Sequence, residues 1–237
     1  ANFNGQCNLK CKMCDVWVME NGYYDRINYW KELEEKFFPY IKEIELLSGE
    51  PFVQKDTWRL IDSVSSLSPD CLWSFTTNAH YELTSNMKSK LDKVKIKNII
   101  FSVDSFNSNR YEKIRVGGKL SRVVKTIEQY IEYNKSRSDN RITFELHFLF
   151  MRDNWDELLN VLSISDKYGF LLTLNILHIP SHDSVLSTSR QKRRKILDYY
   201  LKASSAEELR RLTRIIVPII RSLDKLESAH YLLEFKN

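Results

Sequence analysis

Through the middle of the chain, short apolar runs alternating every second residue trade places with longer runs of helical period. The alternation predicts strands over Glu43–Leu47, Leu72–Thr77, Asn98–Asp104, Arg141–Phe150 and Leu171–Leu177. Helices are predicted near 28–38, 55–67, 84–92, 119–137 and 155–168, most clearly from the stripe Leu120, Val123, Val124, Ile127, Tyr130 and Ile131. Asp56 and Asn154 stand where N-caps are expected. Repeated β-then-α order implies parallel strands joined by right-handed crossovers. Ile142, Phe144, Leu146 and Phe148 fall on one strand face, Thr143, Glu145 and His147 on the other. Trp73 and Phe75 separate likewise from Ser74, Thr76 and Asn78. Ile99, Phe101 and Val103 separate from Ser102 and Asp104, and Leu172, Leu174 and Ile176 from Thr173 and Asn175. An open parallel sheet covered on both sides would be apolar on both faces. A polar face recurring on four strands implies a barrel or part-barrel with helices outside and a polar, ligand-filled lumen.

Composition narrows the class. The 237 residues are 43% hydrophobic, 12% aromatic and 28% charged, which excludes intrinsic disorder and suits one α/β domain with or without a small appendage. No apolar run reaches the roughly 20 residues that span a bilayer, and no signal-peptide pattern opens the chain, so a cytoplasmic protein is expected. The formal charge of +5 is uneven: residues 187–237 carry 12 basic and 6 acidic side chains. Of only six glycines, Gly5, Gly49, Gly117 and Gly118 adjoin the chemistry-bearing sequences below, where tight turns or close backbone approach to a ligand are expected. The chain opens on Ala1 rather than Met, which leaves truncation at both ends open.

Cys7-Asn-Leu-Lys-Cys11-Lys-Met-Cys14 gathers three of the four cysteines, while Cys71 stands alone ahead of a strand. This is no secreted disulfide framework. Structural zinc sites are closed by four ligands and ferredoxin-type clusters by four cysteines. Three thiolates on a cubane would leave one iron open to a small chelating ligand. A zinc site completed by a distant residue such as His80 is the competing reading.

CNLKCKMC resembles the cluster motif of radical S-adenosylmethionine (SAM) enzymes. Ser48-Gly49-Glu50-Pro51 is similar to that family's Gly-Gly-Glu-Pro, and Thr76-Thr77-Asn78 to its Thr-Asn at the end of the third strand. Ser102-Val103-Asp104 followed by Arg115 resembles the Ser-Ile-Asp…Arg pattern of the peptide-modifying, sulfatase-maturase-like branch. The resemblance implies an α/β partial (β/α)6 TIM-like barrel over 1–180 and a basic helical C-terminal extension over 181–237. It implies a [4Fe–4S] cluster on Cys7, Cys11 and Cys14, whose open iron chelates SAM. One-electron reduction would cleave SAM to a 5′-deoxyadenosyl radical that abstracts hydrogen from substrate. A reduced flavodoxin- or ferredoxin-type protein would donate the electron.

Other positions follow from the same likeness. Ser48, Gly49 and Glu50 would meet the methionyl amino group, with Pro51 stiffening the turn. Ser102 and Asp104 would face the ribose or carboxylate, or else serve as a strand-end cap. Arg115 would pair with the methionyl carboxylate, or else be a solvated helix-end arginine. Asn78 and Asn175 are further cofactor contacts, Asn78 reading equally as an Asx-turn residue. Met13 stands where the family usually has an aromatic, Ser48 replaces a glycine, and the strand leading into Cys7 is only partly present in Ala1–Gln6. Glu145 and His147 are candidate catalytic groups facing substrate, or else an internal hydrogen-bonded pair.

His178 and His182 read as loop residues. The run Arg190–Lys195 is by default a solvated face, an acidic peptide or RNA being the sharper reading; it has no aromatic interleaving to favour nucleic acid. The leading expectation is hydrogen abstraction from a peptide or protein side chain. The alternatives are a radical SAM enzyme acting on a small molecule or nucleobase, and a zinc-stabilised non-catalytic binding module.

Overall fold

The computed structural model describes residues 4–18, 29–137 and 141–236. The strands are β1 (Lys10–Cys11), β2 (Glu43–Leu46), β3 (Leu72–Thr77), β4 (Lys95–Ser102), β5 (Arg115–Val116), β6 (Thr143–Phe150) and β7 (Leu171–Ile176). The helices are α1 (Tyr29–Lys36), α2 (Lys55–Leu67), α3 (Ser85–Leu91), α4 (Ser108–Ile114), α5 (Leu120–Ser136) and α6 (Leu158–Tyr168). After β7 come α7 (Arg190–Ala203), α8 (Ala206–Arg211), α9 (Thr213–Arg221) and α10 (Lys225–Lys236). A parallel five-stranded sheet runs in the order β2-β3-β4-β6-β7, and β1 pairs with β5 in a separate antiparallel ribbon. This is the α/β, partial TIM-like fold that the β-then-α order predicts.

Two compact units divide the chain, residues 1–102 with 111–145 and residues 103–110 with 146–237. In the first, β2 pairs parallel with β3 and β3 with β4. Trp73 lies opposite Ile96 but Ser74 opposite Asn98, so β4 carries one extra residue at Lys97. That bulge breaks the two-residue period, and the strand therefore begins at Lys95, three residues before the alternation shows it. Helix α2 turns Leu60, Ile61 and Val64 inward, each at most 1% exposed. Phe52 lies against Phe75, Tyr81 and Tyr130 at ring separations of 5.0, 5.3 and 6.1 Å, an aromatic core beneath the end of β3.

In the second unit α9 buries Ile215, Ile216, Ile219 and Ile220. Helix α7 answers its basic run internally: Arg190 pairs with Asp224 at 2.7 Å, Arg194 with Glu227 at 3.0 Å, and Lys192 sits 4.0 Å over the Trp155 ring.

Neither expected N-cap is one. Helix α2 starts behind Gln54, whose side chain is engaged elsewhere, and α6 starts behind Glu157. Asn154 instead accepts from the Met151 N–H and donates to the carbonyls of Asp104 and Leu149, where it satisfies strand-end backbone. Asp56 lies inside the first helical turn. No strand forms over residues 4–6, and positions 1–3 of the expected leading strand, like position 28, lie outside the described residues. Among the described residues no helix is long and apolar enough to cross a membrane.

Truncating Leu60 to Ala removes a fully buried side chain from α2 and is expected to cost about 2–5 kcal/mol. Urea unfolding of the two proteins measures this. A loss below about 1 kcal/mol would contradict the inward packing of α2.

Candidate cysteine-loop active site

The loop carrying Cys7, Cys11 and Cys14 has little regular structure, and it is fastened at three places. Cys11 pairs across the β1–β5 ribbon with Arg115, and the Lys12 N–H donates to the Ile114 carbonyl at 3.0 Å. The Glu50 N–H donates to the Gln6 carbonyl at 2.9 Å, which fixes the residue before Cys7 to the turn after β2. Gln54 Nε2 joins the same two segments, 3.0 Å from the Gln6 carbonyl and 2.8 Å from that of Ser48. Glycine is required at the crossing. Gly49 has φ +63°, and a Cβ there would lie 2.3 Å from the Gln6 carbonyl oxygen and 2.8 Å from the Gly5 carbonyl carbon.

The loop also closes on itself. The Cys14 N–H donates to the Cys11 carbonyl at 3.1 Å, and the Trp17 indole N–H to the Cys14 carbonyl at 2.7 Å. Cys7 and Cys11 are half-buried, Cys14 is exposed and none of the three is in a disulfide. Met13, between the last two, is half-buried. Cys71 is buried, and burial raises its thiol to about 11. The Cys7 sulfur accepts from the Leu9 N–H at 3.5 Å and the Asn78 amide at 3.7 Å. Burial raises the Cys7 thiol, while the Leu9 bond and the Arg115 charge oppose the rise. Arg115 is 8% exposed, with Nη1 4.0 Å from Cys11 Sγ, so it is not a solvated helix-end arginine.

Glu50 is wholly buried in the turn Ser48–Pro51. Its Oε1 accepts from Thr77 Oγ1 at 2.8 Å and the Phe52 N–H at 3.3 Å, and its Oε2 accepts from the Asn78 N–H at 2.6 Å. The carboxylate thus ties the end of β2 to the end of β3. Burial raises it to about 7 despite these donors. Pro51 is buried, whereas Ser48 and Gly49 are half-buried.

The remaining candidates belong to the strand faces. Ser102 is half-buried at the end of β4, and Glu145 is half-buried on β6. In the second unit Asp104 is buried and its Oδ1 accepts from the Leu149 N–H at 3.0 Å. Asn175 Nδ2 meets His147 Nε2 at 2.6 Å, joining two candidates named separately. On β6 the alternation holds: Phe144, Leu146, Phe148 and Phe150 are buried, and Glu145 and His147 are half-buried between them. Sequence reasoning missed Asn8 and Gln54. Asn8 lies inside the cysteine motif and Gln54 at a helix start, the only signals either carried.

The donor set suits an iron–sulfur cluster. Three thiols on one loop, with N–H donors and a guanidinium directed at sulfur, are what a cluster ligated at three irons asks for. Among the described residues no three Cys, His, Asp or Glu side chains, those of Cys7, Cys11 and Cys14 included, gather as a group that could hold a metal ion.

A parallel α/β fold with such a thiol loop defines a class of cluster-dependent enzymes. The sequence profile of the radical SAM superfamily matches residues 2–163, and the chain belongs to that superfamily. Membership implies a [4Fe–4S] cluster and SAM. A GTP 3′,8-cyclase of Clostridium botulinum (strain Hall) is 28% identical over 174 residues, 69% of this chain and 50% of that protein. A probable GTP 3′,8-cyclase of Methanocaldococcus jannaschii is 25% identical over 178 residues, 73% of this chain and 56% of that one. The chain thus spans about half the length of the curated relatives it matches. Among solved structures, histidine-tagged anSMEcpe with bound AdoMet superposes with a TM-score of 0.60 at 15% identity, over 84% of this chain and 57% of that one. Streptococcus suis SuiB bound to S-adenosylmethionine gives 0.57 at 16% identity, over 83% and 44%. These two likenesses show the fold.

Two outcomes test the geometry. Glu50 has a folded-state value near 7 against an ordinary 4.5, so its charged form is disfavoured by folding. Its contribution to stability is fullest below pH 4.5, declines as pH rises to about 7 and is level above it. Unfolding free energies of wild type and Glu50→Gln across that window are expected to diverge in slope by a total of about 3 kcal/mol; parallel curves would contradict the buried carboxylate. Gly49→Ala is expected to lose at least about 2 kcal/mol in urea unfolding, because the new Cβ meets backbone rather than a movable side chain. Wild-type stability in that variant would mean the two segments do not cross as described.

Proposed function

We propose that this chain is the SAM-cleaving part of a radical SAM enzyme, with the cluster held by Cys7, Cys11 and Cys14 and a small polar molecule of the purine-nucleotide class as substrate. The observation that carries it is the fastened three-thiol loop, with Arg115 beside Cys11 and Asn78 beside Cys7. When bound, the cluster and SAM supply one-electron reductive cleavage and, from it, hydrogen abstraction. The chain's residues bind and orient. Arg115 offers a fixed cation for the methionyl carboxylate, and the Ser48–Gly49 backbone faces the methionyl amino group. Met13 gives an apolar contact for the adenine. Ser102, half-buried at the end of β4, serves the ribose side.

Support for a small substrate comes from the relatives, whose names are those of cyclases of a purine nucleotide and which match over 69% and 73% of this chain. Glu145 in the first unit and the hydrogen-bonded pair His147 and Asn175 in the second are each half-buried polar groups of the kind that hydrogen-bond to such a molecule. A reduced flavodoxin- or ferredoxin-type donor supplies the electron.

Oxygen-free reconstitution with iron and sulfide is expected to give about four irons per chain and, with SAM and dithionite, 5′-deoxyadenosine. Substituting Cys7, Cys11 and Cys14 together by Ala should leave less than about a tenth of the iron, and Cys71→Ala should retain it. With ribose-deuterated GTP or ATP, deuterium should pass into 5′-deoxyadenosine. Transfer from a deuterated peptide pool and from neither nucleotide would replace this substrate class with a peptide.

A further inference from the structure

We propose that Asn78 is a positioning residue for the cysteine loop: its side-chain amide donates to the Cys7 sulfur and thereby makes a cluster bound there easier to reduce. The inference rests on Cys7 being a cluster ligand, as proposed above.

The orientation of this amide follows from its partners. The His80 backbone N–H, which can only donate, meets Asn78 Oδ1 at 2.8 Å. The amide nitrogen therefore faces the other way, 3.7 Å from Cys7 Sγ and 2.9 Å from Asn8 Oδ1. Asn8 is fixed by the same logic: its Nδ2 donates to the His80 carbonyl at 2.7 Å, an acceptor only, so its oxygen must face Asn78. Asn78, Asn8 and His80 thus close a ring of hydrogen bonds beside the sulfur. The Asn78 backbone is held too, its N–H on Glu50 Oε2 at 2.6 Å, and the residue is 6% exposed.

An Asx turn explains only half of this arrangement. The turn needs Oδ1 on the His80 N–H and has no use for the amide nitrogen. That nitrogen is aimed at the sulfur by a separate partner, Asn8, supplied from the cysteine motif itself. A donor fixed toward a ligating sulfur stabilises the more negative, reduced state over the oxidised one, which raises the reduction potential.

The test is a redox titration, followed by electron paramagnetic resonance, of the reconstituted chain, its Asn78→Ala variant and its Asn8→Ala variant. Asn78→Ala is expected to lower the ratio of reduced to oxidised cluster about tenfold at a fixed solution potential, a shift of about 59 mV to more negative values for a one-electron couple. Asn8 is exposed, so its variant keeps the fold; its Oδ1 both aims the Asn78 amide and lies 3.9 Å from Cys7 Sγ as an acceptor, two effects of opposite sign, so its variant is expected to shift the midpoint by less than Asn78→Ala does. A merely structural role would lower cluster yield and leave both midpoints at the wild-type value, which overturns the proposal while leaving the cysteine assignment standing. If the wild-type chain takes up no cluster, that assignment falls, and this inference with it.

Discussion

A three-thiol loop with only two residues of strand and a single 3-10 turn cannot hold its own shape. Its sulfurs are placed by hydrogen bonds to segments outside it, and the buried Glu50 joins three of those segments. Through its own N–H it reaches Gln6, and through its oxygens Thr77 and Asn78. A buried carboxylate without donors would be costly, and each donor here belongs to a segment that must be held. The side-chain bonds therefore satisfy the charge and join the end of β2 to the end of β3, while the backbone N–H of the same residue holds the residue before Cys7.

Backbone conformation at these crossings sets Ser48 apart from Gly49. Ser48 stands where the family has glycine, and its role is met by its carbonyl, which accepts from Gln54 whatever the side chain. Gly49 has no such latitude, because its φ is positive and its missing Cβ leaves room for Gln6. Ala79 is the contrasting case: a buried alanine at φ 55°, a conformation costing about 1 kcal/mol for a residue with a Cβ. It is held by the Thr77 hydroxyl on its own N–H and by the Asn78 side-chain carbonyl on the next. Strain is stored where the end of β3 bends toward the thiols.

Much of this was legible in the sequence. The alternation in β6 and the stripe in α5 gave their elements nearly to the residue, because each buries one face and period follows burial. Helix α4 and strands β1 and β5 were invisible, since seven-residue and two-residue elements carry too little period to read. The three cysteines of the loop announced themselves by residue type and spacing. Their supports did not: Asn8 and Gln54 are amides of ordinary kind, and only the fold shows that each serves two segments at once. Asn154 was misread for a related reason, since an asparagine ahead of a helix can satisfy strand ends as readily as a helix start.

The electrostatics around the thiols follow from the same burial. Glu50 and Arg115 act on Cys7 in opposite senses, the carboxylate raising its thiol and the guanidinium lowering it. A charged Glu50 acts more strongly on Cys7 than Arg115 does, but the two do not keep their charge alike at neutral pH. Arginine stays fully charged under any surroundings in a protein. Glu50, with its value near 7, carries only part of a charge there. Burial of the carboxylate thus does two things at once: it strengthens the hydrogen bonds that shape the loop, and it mutes the negative charge that would resist thiolates beside it. On Cys7 itself burial outweighs both charges and the thiol stays raised, so the donors at its sulfur and the Arg115 guanidinium work against the burial that the fold imposes.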